Sequence, residues 1–181
     1  MVELIADWMN IIEGLLFVSP DPLTLPKLKE ILDPLTVQEI KDNLQKLQLL
    51  YEERKGALQV REIAGGYQLY TRPEIAPWIR KLMENRPARL SRASLETLAI
   101  VAYHQPTSKS EIDSIRGVDS QKAIRNLLEK GLIRVMGRKD EAGRPLLYGT
   151  TRKFLQRFGL KDLTSLPSLE ELKEMGIEEE S

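Results

Sequence analysis

The chain has 181 residues, no cysteine, one histidine, and 27 Lys/Arg against 27 Asp/Glu. That length admits one medium domain or two small ones. Without thiols there are no disulfides or thiolate metal sites, and a lone imidazole leaves little for imidazole ligation or catalysis. No apolar run approaches the roughly 18 residues that cross a bilayer, and the opening MVELIADWMN is acidic where a signal peptide is basic, so a cytoplasmic protein with no membrane contact is expected.

The neutral total conceals a division. Residues 1–87 carry 11 Lys/Arg against 13 Asp/Glu (−2), residues 88–161 carry 15 against 7 (+8), and residues 162–181 carry 1 against 7 (−6). A basic small domain attracts nucleic acid or an acidic protein surface, and charge alone does not choose between them.

Residues 4–18 read as a helix. Ile5, Trp8, Ile12 and Leu15 cover one face, and Leu4, Met9 and Ile11 spill past it. An apolar surface that wide has two neighbours, one of them a second chain. Pro20 and Pro22 end it. Residues 24–32 form a second helix with Thr24 as cap and Leu25, Leu28 and Ile31 inward. Residues 36–49 form a third, opened by the capping box Thr36-Val37-Gln38-Glu39 and buried along Ile40, Leu44 and Leu47. Residues 58–63 and 67–71 alternate as strands about Ala64-Gly65-Gly66, a hairpin. Residues 74–84 add a helix carrying Ile75, Trp78, Ile79 and Leu82, and Asn85-Arg86-Pro87 marks a domain boundary.

The second half repeats the first at an offset of 84. Leu16–Val18 falls on Ile100–Ala102, Thr24 on Ser108, Leu28 on Ile112, Ile31 on Ile115, Thr36 on Ser120 and Ile40 on Ile124, with no gap from the first helix to the third. Past that point the register slips, until Leu69-Tyr70 meets Leu147-Tyr148. The pattern reads as a tandem duplication. In the second copy residues 91–103 are the most buried helix. Ser108-Lys109-Ser110-Glu111 is a capping box, Gly117 a left-handed helix end, and residues 120–130 the third helix. Strands at 133–137 and 146–150 flank a basic loop, with Pro145 at the start of the returning strand. A closing helix at 153–158 packs Phe154, Leu155 and Phe158 inward. Helix, helix, helix, hairpin is the winged-helix plan. The fold class is mainly α with small β-hairpins: two tandem winged-helix domains, 1–86 and 88–161, then an acidic, partly disordered tail, 162–181.

No phosphate-binding loop, nucleophile elbow or zinc-protease helix is present. His104 reads as a loop residue, so neither enzyme activity nor a cofactor or metal is expected. In winged helices that read DNA the third helix enters the major groove. Here that role would fall to Gln121, Lys122, Arg125, Asn126 and Glu129, with Arg138, Lys139 and Arg144 on phosphates. The wing equally admits a protein partner, through the Gly143-Arg144-Pro145 bend, Tyr148 and a free strand edge. Composition leaves both open.

A longer run of residues narrows the choice. Leu95-Glu96-Thr97-Leu98-Ala99-Ile100-Val101-Ala102-Tyr103, then Gln105-Pro106, Glu111-Ile112, Ile115-Arg116-Gly117-Val118, Gly131-Leu132-Ile133-Arg134, Gly143-Arg144-Pro145, Tyr148-Gly149-Thr150-Thr151 and Phe158-Gly159-Leu160 resemble the segregation and condensation protein B family of bacteria. Thr107-Ser108 departs from it, where an apolar residue is usual. The resemblance implies a non-enzymatic, homodimeric condensin subunit. Such a subunit pairs chiefly through the first domain and binds the central segment of the kleisin, segregation and condensation protein A. Through the kleisin it meets the SMC ATPase on the nucleoid, with at most weak, non-specific DNA contact. On that basis Ile5, Trp8, Met9, Ile12 and Trp78 are assigned to the dimer interface, and Arg116, Arg138, Arg144, Pro145 and Tyr148 to the partner. The alternative is a winged-helix transcriptional regulator.

Overall fold

Asp7 accepts hydrogen bonds from the Met9 and Asn10 amides and caps α1 (Trp8–Val18), so this helix begins four residues later than its apolar residues suggest. The computed structural model describes residues 7–83, 90–168 and 171; Leu4, Ile5 and the expected domain boundary at Asn85-Arg86-Pro87 lie outside them. The chain divides into two compact units, Met1–Arg86 and Pro87–Ser181.

In the first unit α1 is followed by α2 (Leu25–Ile31) and α3 (Val37–Arg54). Thr24 caps α2, and the Thr36/Glu39 box caps α3 with both reciprocal bonds formed. α3 runs five residues beyond the expected end and stops where Lys55 turns left-handed. β1 (Leu58–Ile63) and β2 (Gly66–Thr71) pair antiparallel as the wing. A 3₁₀ turn at Pro73–Ile75 then leads into α4 (Ala76–Leu82). Ile12, Leu16, Leu28, Leu32, Ile40, Leu44 and Leu47 meet as the core. Tyr51 donates to the Glu13 carboxylate, which joins α3 to α1.

The second unit repeats the plan with α5 (Arg92–His104), β3 (Thr107–Ser108), α6 (Lys109–Arg116), α7 (Gln121–Glu129), β4 (Ile133–Arg138), β5 (Leu146–Thr150) and α8 (Arg152–Phe158). Its sheet order is β3-β5-β4, antiparallel throughout, with an irregularity between Val135 and Gly137. Leu98, Val101, Ile112, Ile124, Leu127, Leu132, Tyr148 and Phe154 form its core. The fold is mainly α with small sheets, and each unit is a winged helix.

The two units match most closely where their sheets acquire a short third strand. Leu23 exchanges backbone hydrogen bonds with Tyr67 at 2.9 and 2.8 Å, and Thr107 occupies the same place opposite Tyr148. Tyr148 therefore corresponds to Tyr67, whereas the sequence register had set it against Tyr70. The offset of 84 holds from there into α3 and α7: Leu28 and Ile112 are both buried, as are Ile40 and Ile124. In the first helix it fails. Buried Leu16 would fall on half-buried Ile100 and exposed Val18 on buried Ala102, whereas an offset of 85 sets Ile12 on Thr97 and Leu16 on Val101, all four buried. The second copy holds one residue fewer between its first helix and its short strand.

Three residues expected inside face solvent. Ile31, Ile115 and Phe158 are each about half exposed, because helices of two turns present a single row to the core and Leu28, Ile112 and Phe154 fill it. The second unit also continues past residue 161. Tyr103 donates to the Pro167 carbonyl at 2.7 Å, and Leu166 packs against the core. The beginning of the acidic segment is thus seated on α5; Leu169, Leu172, Met175 and the terminal glutamates lie outside the described residues.

Candidate partner surfaces

α1 buries Ile12 and Leu16 and half-buries Trp8, Met9 and Leu15 against its own unit. What it leaves free is a second apolar row. Ile11, Gly14 and Val18 recur at helical spacing, with Phe17 beside them 75% exposed. A Cβ added at Gly14 would meet nothing within 4 Å, so this helix surface is low enough for another element to approach closely. Ile12 therefore cannot join a dimer interface as expected; it is fully buried inside its own protomer. Of the assigned residues Trp78 is the one well presented, 66% exposed on α4 one turn from Leu82, which is 82% exposed. Ile5 lies outside the described residues. The sequence does not single out Phe17, because a helix apolar on most sides does not reveal which row is inner.

The second unit redistributes its candidate partner residues. Tyr148 is only 7% exposed and belongs to the core, with Thr107 on one side and Val135 on the other. It cannot meet a partner from there. Arg116 is a clamp rather than a free guanidinium, its side chain 8% exposed and 3.2 Å from Glu96. It also donates to Ser120 Oγ at 3.2 Å, joining α6 to α5 and to the start of α7. Arg138 and Arg144 do lie at the exposed wing tip, where Arg138 donates to the Arg144 carbonyl at 2.9 Å. Pro145 is half-buried and its carbonyl accepts from the Lys139 amide. Arg144 takes a left-handed φ of 42° directly after Gly143 at 82°, which makes the bend sharp.

The wing is pinned at both its loop end and its base. Lys139 Nζ reaches Glu111 Oε1 at 2.8 Å and Glu141 at 3.0 Å, while Glu111 Oε2 accepts from the Ser108 amide and hydroxyl. Lys139 and these Ser108 bonds hold the Glu111 carboxyl down at about 2. Gln105 Oε1 accepts from the Thr150 amide at 2.8 Å and hydroxyl at 3.1 Å, tying the end of α5 to β5. Among the described residues no group of three or more His, Asp or Glu could hold a metal ion.

Paired helical units with short wings, and free surfaces that are apolar helix rows and a basic edge, define a tandem winged-helix protein. Residues 10–169 match the family described as "Segregation and condensation complex subunit ScpB". The chain belongs to this family, whose members act in chromosome segregation and condensation. It is 49% identical over 173 residues to segregation and condensation protein B of Syntrophotalea carbinolica, covering 94% of this chain and 86% of that one. Among solved structures, ScpB from Mycobacterium tuberculosis is 33% identical, covering 84% of this chain and 94% of that one, with a TM-score of 0.40. A dimer of an ScpB N-terminal domain complexed with ScpA peptide is 30% identical, covering 41% of this chain and 93% of that one, with a TM-score of 0.39. No helix of the described residues is long and apolar enough to cross a membrane.

Proposed function

We propose that this chain is a homodimeric, non-enzymatic adaptor that grips the central segment of the kleisin of its SMC complex on the nucleoid. Membership of the segregation and condensation complex subunit family supports the assignment. The observation that carries it is the unpartnered apolar row of α1, Ile11, Phe17 and Val18, on a helix whose opposite row already fills the core. Contiguous exposed apolar surface of this kind marks a protein interface. The first unit supplies pairing, and the second presents the wing tip at Arg138 and Arg144. The chain acts by binding: it holds the kleisin's middle and thereby biases how the ATPase heads engage.

Size-exclusion chromatography with light scattering on the chain, its kleisin and their mixture tests this reading. A dimer that takes up kleisin at fixed stoichiometry agrees with it. A monomer that ignores kleisin, or that binds a specific duplex more tightly than kleisin at the same salt, would refute it in favour of the regulator.

A further inference from the structure

The second unit holds a cleft of about 600 Å³ between the start of α5 and the side of α7. One wall is the row Lys122, Asn126, Lys130, spaced by four residues and so aligned along one helix face. The other includes Ser91 and Ser94. Most polar groups around it are engaged. Ser91 Oγ accepts from the Ser94 amide and donates to Ser94 Oγ. Arg116 is held by Glu96 and Ser120, and Asp119 by Lys109 and the Gln121 amide.

The α7 row is not engaged. Among the described residues Lys122 and Lys130 have no carboxylate partner and the Asn126 amide no side-chain hydrogen bond. The ion-paired carboxylates of residues 88–161 are engaged elsewhere: Glu96 on Arg92 and Arg116, Glu111 and Glu141 on Lys139, Asp113 and Asp119 on Lys109, and Glu129 on Arg125. Lys122 and Lys130 therefore place part of the excess charge of residues 88–161 along this wall.

We propose that this cleft seats a carboxylate-bearing stretch of the partner polypeptide, with Lys122 and Lys130 receiving two of its acidic side chains and Asn126 its backbone. The inference rests on the kleisin reading above and names where and by what chemistry the partner is held. Eight residues separate the two lysines, about 12 Å along a helix. On an extended segment, carboxylates four residues apart are about 13 Å apart. A volume of about 600 Å³ lies in the range of sites that seat a ligand-sized segment. The partner's carboxylates would supply the counter-charge that Lys122 and Lys130 lack, and charged pairs of this kind set partner choice and association rate.

The test uses the full-length chain and purified kleisin of the same organism, with affinity read by titration at two salt concentrations. K122E/K130E should raise Kd about tenfold or more with the unfolding transition unchanged, and K122R/K130R should bind as the parent does. If charge reversal disturbs folding, K122Q/K130Q takes its place, with a smaller loss expected. Unaltered kleisin affinity in the charge variants overturns the cleft assignment while leaving the adaptor reading intact. Failure of the parent chain to bind kleisin sinks both. Loss of binding to a 20-base-pair duplex in K122E/K130E, with kleisin binding retained, assigns the row to nucleic acid and overturns the proposal.

Discussion

Lys139 on the wing reaches back to Glu111 in the first turn of α6, Nζ to Oε1 at 2.8 Å across 28 residues of sequence. The same carboxylate completes the Ser108 capping box. One side chain thus starts a helix and anchors a hairpin.

The linkage follows in sign. The Glu111 carboxyl is lowered from 4.5 to about 2 in the fold, with Lys139 the largest cause. Its contribution is present above about pH 4.5 and is lost as pH falls through 2. Both partners are about two-fifths exposed, 39% and 43%, so solvent screening reduces the pair to about 1 kcal/mol. Glu111→Gln keeps a competent capping residue and removes the charge. It should cost about 1 kcal/mol at pH 7 and distinctly less near pH 2, read by urea unfolding followed by circular dichroism. Both tryptophans, Trp8 and Trp78, lie in the first unit, so tryptophan fluorescence should not register the change. An equal loss at both pH values would show that the charge is irrelevant.

The first unit has its own pinned contact. A Cβ at Gly66 would come within 2.9 Å of the Leu23 carbonyl carbon and oxygen, the backbone that pairs with Tyr67. Main chain cannot yield as a side-chain end can. Gly66→Ala should therefore cost about 1–3 kcal/mol and shift the tryptophan-detected transition. Gly14→Ala, with open space around it, should stabilise α1 slightly.

These contacts explain what was legible in the sequence. Helix starts are local, and the Thr36–Glu39 and Ser108–Glu111 boxes both form as read. Hairpin positions were legible for the same reason, since Gly and Pro punctuate them. Burial was not. Tyr148 and Arg116 have the residue types of a binding site, but their partners lie far along the chain: Thr107 is 41 residues from Tyr148, and Glu96 is 20 from Arg116. The pairing of β3 carried no signal either, because two residues show no period. α1 gave the right conclusion, a surplus of apolar surface, and the wrong row, since a helix apolar on most sides has no unique stripe.

Tyr51 offers a spectroscopic check on the first unit. Burial, then the hydrogen bond to Glu13, pushes its phenol up to about 12. A raised acid is stabilising below the unfolded value near 10, and that contribution fades as pH climbs through 12. Burial also raises the Tyr70 phenol, so absorbance titration should show a late-ionising component to which both contribute, and Tyr51→Phe should reduce it. The variant should cost about 1 kcal/mol at neutral pH. If the late component is undiminished in Tyr51→Phe, Tyr51 is not among the groups that ionise late.

The two rows of α1 can be separated by substitution. Ile12 is sealed in the core, so Ile12→Ala should cost about 2–5 kcal/mol and shift the tryptophan-detected transition. Phe17 touches little of its own unit, so Phe17→Glu should leave that transition within about 0.5 kcal/mol of the parent. Its effect should fall on assembly: a carboxylate set into an apolar contact has no partner there and loses its hydration. Light scattering should then report a monomer for Phe17→Glu and a dimer for Ile12→Ala at temperatures where it stays folded. Leu82→Glu on α4 extends the comparison, because Trp78 and Leu82 form the unit's other exposed apolar row. If Phe17→Glu stays dimeric and Leu82→Glu does not, pairing runs through α4, and the α1 row is left for another occupant.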